Sequence, residues 1–133
     1  MATEQGSQRT VLLVDDEAMV RELVTAQLES LGYRVLPKAD AVSAFDLLEQ
    51  GEPVDVLLTD VSMPGEMDGY ELACMARERQ PDLKVLLISG YPDQDRSAAP
   101  KGSYTAVRFP LLSKPYRRED LREQLDALLG GTS

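Results

Sequence analysis

The chain of 133 residues contains no histidine and no tryptophan, and it has a single cysteine. Without histidine it lacks the commonest general base and metal ligand of proteins, so chemistry built on an imidazole is excluded. The cysteine, Cys74, cannot form an internal disulfide, and we expect it to be a packed helix residue rather than a reactive thiol. Carboxylates, hydroxyls and amino groups are left to build a functional site.

Long apolar runs and an excess of basic residues are also missing. No run approaches the ~20 apolar residues that a membrane span needs, and the N-terminus lacks the apolar core of a signal peptide. Lys and Arg number 14 against 23 Asp and Glu, for a net charge of −9, whereas a nucleic-acid backbone requires a basic partner face. We therefore expect a cytoplasmic protein that neither enters a membrane nor binds nucleic acid directly.

What is present is the composition of one soluble, compact domain. Hydrophobic residues make up 43% of the chain and charged residues 28%, which is the usual balance of a globular protein, and the length suits a single core. Residues 1–9 are polar and aperiodic, and residues 130–133 read Gly-Gly-Thr-Ser, so we predict disordered tails at both ends. The folded domain is predicted over residues 10–129.

Short apolar runs alternate with helical patterns along this domain. The runs, typical of strands buried on both faces, are Thr10–Val14, Tyr33–Leu36, Val54–Thr59, Lys84–Ser89 and the weaker Val107–Leu112. Helical patterns lie around Val20–Leu31, Ala44–Leu48, Leu72–Ala76 and Leu121–Leu129, with Gly32 and Gly130 as stop signals. Tyr91–Thr105 predicts only a short or irregular helix. The alternation predicts a doubly wound α/β domain, a parallel sheet with helices on both faces.

Pro110 indicates where the last strand lies in that sheet. It falls inside the fifth apolar run, and a proline cannot donate a ladder hydrogen bond, so it is tolerated mainly on an edge strand. We therefore predict that the last strand is outermost.

Polar residues close the predicted strands at the edge where open α/β sheets bind ligands. Asp15 and Asp16 follow the first strand, Asp60 the third, Ser89 ends the fourth, and Lys114 follows the fifth. Taken singly, each has an ordinary explanation in helix capping, an Asx turn or a solvated side chain. Taken together, three carboxylates at one edge would repel each other unless a cation joined them. Mg²⁺ fits best, because it binds one or two carboxylates together with waters and phosphate oxygens.

The order Asp15-Asp16, Asp60, Ser89, Lys114-Pro115 resembles the receiver domains of response regulators in two-component systems, from Thr10 to Leu129. The resemblance implies a five-stranded, flavodoxin-like sheet of order 2-1-3-4-5. It implies that Asp60 is the phosphoacceptor and that Lys114 pairs with the phosphate and Ser89 senses it.

The same resemblance implies a ligand set for Mg²⁺, which consists of Asp15, Asp16, Asp60 and the backbone carbonyl of Ser62. It also implies a Lys114-Pro115 bond that is often cis. The segments 60–69 and 88–91 are most similar to receivers associated with hybrid sensor histidine kinases, although the turn after Pro64 carries one residue more than the commoner pattern.

Leu111 departs from the family pattern. Many receivers have an aromatic residue three positions before the lysine, and it moves when the hydroxyl engages phosphate. With Leu111 at this position, a signal must travel through backbone and packing changes. Phe109, on the same strand face, is a candidate substitute, with a place in the core as the alternative.

The resulting hypothesis is a signalling switch that a sensor histidine kinase or a histidine phosphotransfer protein phosphorylates on Asp60. It would promote its own phosphorylation and dephosphorylation without turning over a separate substrate, and so would not be an enzyme. Ser62 and Tyr91 are candidates for tuning the lifetime of the phosphate. We expect a monomer or a weak, phosphorylation-dependent dimer.

The sequence disfavours three other classes of protein. A degenerate docking module is disfavoured because all five site residues are present. A Mg²⁺-dependent phosphatase with an aspartyl nucleophile would need a second acid two residues after Asp60, where Ser62 stands. A nucleotide- or flavin-binding domain would need a Gly-rich loop after the first strand, where Asp15-Asp16-Glu17 would repel a phosphate.

Overall fold

The computed structural model describes residues 8–61, 67–90 and 109–130, in which strands and helices alternate. The strands are β1 (Thr10–Val14), β2 (Arg34–Lys38), β3 (Val56–Asp60), β4 (Lys84–Ser89) and β5 (Leu111–Ser113). The helices are α1 (Ala18–Ser30), α2 (Ala41–Glu49), α3 (Gly69–Arg79) and α4 (Arg118–Leu128). The sheet has five strands in the order β2-β1-β3-β4-β5, and every neighbouring pair is parallel. The predicted fold class and strand order are confirmed.

Helices cover both faces of the sheet, because alternate residues of each buried strand point to opposite sides. Leu12 and Leu57 pack with α2 and α3 on one face. Val11 and Leu58 pack with α1 and α4 on the other. The central strands β1 and β3 are buried along their whole length, which explains why they read as continuous apolar runs.

Local sequence signals set several helix ends. The Asp40 side chain accepts a hydrogen bond from Ser43 N at 2.7 Å and begins α2. Asp68 and Glu71 form a capping box at the start of α3, with hydrogen bonds of 2.9 and 3.1 Å. Gly32 follows α1 with φ +99°, a left-handed conformation that favours glycine, as the stop signal predicted.

The strand boundaries need correction. The second strand extends to Lys38, because Leu13↔Pro37 and Val14↔Lys38 continue its parallel register with β1. The third strand runs Val56–Asp60, so it begins two residues later than the predicted run and includes Asp60. The fifth strand begins at Leu111, so Pro110 lies just before it rather than inside it. The outermost position of β5 is nevertheless confirmed.

Other predictions fall partly or wholly outside the described residues. The irregular helix of Tyr91–Thr105 and the longer turn after Pro64 both lie there. Within the predicted N-terminal tail, Gln8 Nε2 donates to the Gly32 carbonyl at 3.2 Å and the Arg9 carbonyl accepts from Arg34 N at 2.8 Å. None of the helices in the described ranges is long and apolar enough to cross a membrane.

Candidate functional site

A short, charge-assisted contact at the carboxyl edge of the sheet joins Asp60 and Lys114. Lys114 Nζ donates to Asp60 Oδ2 at 2.8 Å, and the side chains are 33% and 11% exposed, respectively. Asp60 is the last residue of β3, whereas Lys114 directly follows β5. The sheet therefore brings together two residues that are 54 positions apart in the sequence, and partial burial makes the charge-assisted bond stronger than a surface ion pair.

The pairing of β4 with β5 brings Ser89 to the same place. Ser89 stands opposite Ser113 in the parallel register, and its carbonyl accepts from Lys114 N at 2.8 Å. The serine is buried at 1% exposure. The Lys114-Pro115 peptide bond is cis, as the resemblance implied. The hydroxyl-bearing residue and the lysine are thus held side by side by backbone hydrogen bonds.

Asp15 is held by hydrogen bonds to both its backbone and its side chain. Its backbone N donates to the Lys38 carbonyl at 3.1 Å, its carbonyl accepts from Arg21 Nη1 at 2.6 Å, and its Oδ1 accepts from Glu17 N at 2.9 Å. Burial raises its pKa above the usual 3.8, and the Asp60 charge raises it further, against the lowering effect of the Glu17 hydrogen bond. Asp16, by contrast, is exposed.

Electrostatic coupling extends to Lys114 and Tyr116. Although burial lowers the pKa of Lys114, the hydrogen bond to Asp60 and the nearby carboxylates raise it more, so that the pKa lies above its usual value. Burial, followed by the charges of Asp15 and Asp60, raises the pKa of Tyr116 to about 12. Tyr116 therefore belongs to the electrostatic surroundings of the site, a role that the sequence did not reveal.

Gly69 is a second residue that sequence analysis missed. A Cβ atom at Gly69 would overlap the carbonyl oxygen of Asp60 and press on the Thr59 hydroxyl. Gly69 N also donates to the Val61 carbonyl at 2.9 Å. The start of α3 therefore packs directly on the backbone of Asp60. A glycine immediately after a helix-capping aspartate was the available sequence signal.

Leu111 and Phe109 lie on the same face of the sheet, against the cluster formed with α2 and α3. The Phe109 ring meets Tyr70 edge-on, with centroids 5.7 Å apart, and the guanidinium carbon of Arg77 lies 5.3 Å from its centroid. The candidates Ser62 and Tyr91 lie outside the described residues. Cys74 is buried in α3, as predicted.

The donor set of the edge is compatible with a hard divalent cation. Among the residues that the structure describes, no three His, Cys, Asp or Glu side chains form a metal-holding group. The charges of Asp15 and Asp60 nevertheless act on each other, with Lys114 as the nearby positive charge. Two carboxylates facing one ammonium leave a negative balance, and few protein oxygens suffice for Mg²⁺, which keeps several waters.

The fold and this edge together define a doubly wound α/β domain with an acidic site at the carboxyl ends of its strands. Comparison with known families specifies it further. The chain belongs to the response regulator receiver domain family, whose model matches residues 11–126. Such domains are phosphoacceptor switches of two-component signalling, and the predicted function class is confirmed.

Individual relatives agree with this assignment. The response regulator receiver protein CpdR of Brucella abortus (strain 2308) is 37% identical over 127 residues, covering 91% of this chain and 97% of that protein. Sensor kinase CckA of the same strain is 36% identical over 129 residues, covering 96% of this chain but 13% of the kinase. The crystal structure of response regulator TrrA of Thermotoga maritima, in complex with Mg²⁺-BeF, has a TM-score of 0.76 at 26% identity and covers 91% of this chain and 99% of that one. The resemblance to receivers associated with hybrid kinases is confirmed.

Proposed function

We propose that Asp60 accepts the phosphoryl group. The ion pair between Asp60 and Lys114, at 2.8 Å and partly buried, is the observation that carries this proposal. A carboxylate oxygen of Asp60 attacks phosphorus, the bond to the donor's leaving group breaks, and an acyl phosphate results. The Lys114 ammonium is then free to bind the phosphoryl oxygens that carry the charge. Ser89, next to Lys114, donates to the new phosphate.

We propose a Mg²⁺ site formed by Asp15, Asp16, Asp60 and the Ser62 carbonyl. The negative balance at Asp15 and Asp60 and their oxygen donors support it. When bound, Mg²⁺ supplies positive charge that offsets the charge of the transferring phosphoryl group. Asp15 contributes a buried, hydrogen-bonded carboxylate, so its orientation is set before any ligand arrives.

We further propose that the domain, over residues 10–129, promotes its own phosphorylation and dephosphorylation without acting on another substrate. Phosphorylation adds charge at the edge and shifts a two-state equilibrium of the surface around β5 and α4. Ser62 and Tyr91 are proposed to tune the lifetime of the phosphate. Phosphate-release kinetics after substitution of each residue test this role, and unchanged lifetimes in both variants would overturn it.

The phosphoryl donor is proposed to be a histidine kinase or a histidine phosphotransfer protein. The first residues of α1, which begins beside the acidic edge, support a protein partner, because Met19 and Leu23 are 83% and 60% exposed on one helix face. Replacing both residues with glutamine should slow phosphotransfer from a purified kinase while leaving phosphorylation by acetyl phosphate unchanged. Equal slowing with both donors would contradict a docking role. Replacement of Val42, also exposed but on α2, is the control.

The phosphoacceptor assignment is tested with acetyl phosphate, by intact mass, with and without Mg²⁺. We expect a Mg²⁺-dependent gain of one phosphoryl group that is absent in Asp60→Asn. Asp55→Asn is the matched control, because Asp55 lies at the opposite end of β3 and accepts from Thr10 N. A folded protein that gains no phosphate from acetyl phosphate or from a kinase would overturn the assignment and favour the docking module.

A further inference from the structure

Arg21 occupies a position in α1 that local helix physics disfavours. The helix begins at Ala18, has no acidic residue in its first turn, and receives no side-chain cap from Glu17. A positive charge so close to a helix N-terminus opposes the helix dipole. Residues that break a local rule often serve a nearby site.

The contact that Arg21 makes is to the backbone of Asp15. Its Nη1 donates to the Asp15 carbonyl at 2.6 Å, while Arg21 N donates to the Glu17 carbonyl at 2.9 Å in the first turn of the helix. The side chain therefore reaches back over the start of α1 to the point where β1 has just ended. A charge-assisted hydrogen bond of this length is stronger than a neutral one.

Asp15 is consequently held on three sides. Lys38 of β2 binds its backbone N, Glu17 N binds Oδ1, and Arg21 binds its carbonyl. The first two contacts come from backbone groups that any sequence would supply. The third depends on the side chain of Arg21 alone.

We propose that Arg21 is a positioning residue that holds Asp15 in the orientation required for Mg²⁺ binding. The inference rests on the proposed metal site. In this role Arg21 acts through its hydrogen bond to the Asp15 backbone and is not itself a ligand of the cation. Supporting contacts of this kind usually change metal affinity by about 10- to 100-fold.

A purely electrostatic role of Arg21 predicts the opposite result. Removing a positive charge near a cation site relieves repulsion and strengthens cation binding. A positioning role predicts weaker binding, because the backbone that carries the Asp15 carboxylate loses one of the hydrogen bonds that hold it. The sign of the change in Mg²⁺ affinity therefore separates the two explanations.

The experiment is an NMR titration of the whole ¹⁵N-labelled protein with MgCl₂ alone. We expect Arg21→Met to raise the dissociation constant about tenfold, and Arg21→Lys, which keeps a charged donor, to restore binding close to that of the wild type. Arg122→Met is the charge-matched control, because it removes one positive charge from an exposed pair on α4. Arg21→Gln serves as the second neutral variant if Arg21→Met does not fold.

An unchanged or lower dissociation constant in the neutral Arg21 variants, with the wild type binding Mg²⁺, would overturn the positioning role alone. Absence of Mg²⁺ binding by the folded wild type would instead overturn the proposed metal site. Thermal unfolding in EDTA checks the fold of each variant, and weaker binding in a variant of unchanged melting temperature supports the inference.

Discussion

The buried charge of a single residue, Asp15, lowers the stability of the folded protein. The residue is 5% exposed, and burial and the charge of Asp60 raise its pKa above 3.8. A carboxyl group whose pKa is raised by folding favours the folded state most below pH 3.8 and loses that contribution as pH rises through the folded pKa. At pH values above the folded pKa, the ionised Asp15 therefore destabilises the metal-free protein.

Asp15→Asn should raise the free energy of unfolding in EDTA at pH 7 by about 1 kcal/mol. The amide keeps an oxygen to accept from Glu17 N and removes the buried charge. Urea denaturation measures the change. Asp16→Asn is the control, because Asp16 is exposed and surface substitutions usually change stability by less than about 0.5 kcal/mol. A destabilised Asp15→Asn variant would contradict this account of the charge.

Gly69 is the second residue with a definite structural requirement. A methyl group there would overlap the Asp60 carbonyl, so Gly69→Ala should cost about 1–3 kcal/mol of stability and slow phosphorylation by acetyl phosphate. Gly90→Ala is the matched control, since its Cβ would lie at an ordinary 3.9 Å from Lys114. Equal stability and equal phosphorylation rates in the two alanine variants would contradict the close packing of α3 on the Asp60 backbone.

At the scale of elements, β5 is the least supported strand. It has three residues and pairs only with β4 among the described strands. Phe109, just before it, reaches α3 through the edge-on contact with Tyr70 and the guanidinium of Arg77. Because α3 begins against Asp60, this contact links the edge strand to the proposed phosphoacceptor through α3, in addition to the direct ion pair with Lys114.

A double-mutant cycle on Tyr70→Leu and Phe109→Leu should give a coupling of about 0.5–1.5 kcal/mol in the free energy of unfolding. Tyr70 with Tyr33, which packs on the opposite face of the sheet, is the control pair and should be additive. Repeating the cycle on the phosphorylated protein tests whether Phe109 substitutes for the aromatic missing at Leu111. An equal coupling free energy in the phosphorylated and the unphosphorylated protein would mean that Phe109 is a core residue only.

For the whole molecule, we expect the free energy of unfolding to depend on pH in the alkaline range, because folding raises the pKa of two groups near the site. The pKa of Tyr116 is raised from 10.0 to about 12 by burial and by Asp15 and Asp60, and that of Lys114 is raised as well. Groups whose pKa is raised by folding stabilise the protein below the unfolded pKa and lose that contribution as pH rises through the folded value. The free energy of unfolding should therefore fall between pH 10 and about 12.

Absorbance of tyrosinate at 295 nm, followed with circular dichroism, measures this transition. We expect one of the five tyrosines to ionise near pH 12. The absorbance change of that ionisation should be absent in Tyr116→Phe. A Tyr33→Phe variant separates the contribution of Tyr33, a partly buried phenol whose pKa burial also raises. Ionisation of Tyr116 near pH 10 would contradict its burial beside two carboxylates.

The fold class was predictable because its signals are local. Buried parallel strands require continuous apolar runs, and β1 and β4 were located to the residue. The limits of β2, β3 and β5 were not. In β2, for example, Pro37 and Lys38 join the sheet through the register with β1. The apolar content of a segment does not predict where its pairing ends, because that limit depends on the neighbouring strand.

The sequence by itself determined the chemical groups of the site and the edge at which they gather, because the ends of alternating strands and helices prescribe both. Only the tertiary structure decided how they are held: the ion pair across 54 residues, the hydrogen bond from Arg21 to Asp15, and the packing of Gly69 against Asp60. These contacts depend on how far each element is buried and on which side chains meet. Those quantities arise from packing between distant segments, so no local pattern encodes them.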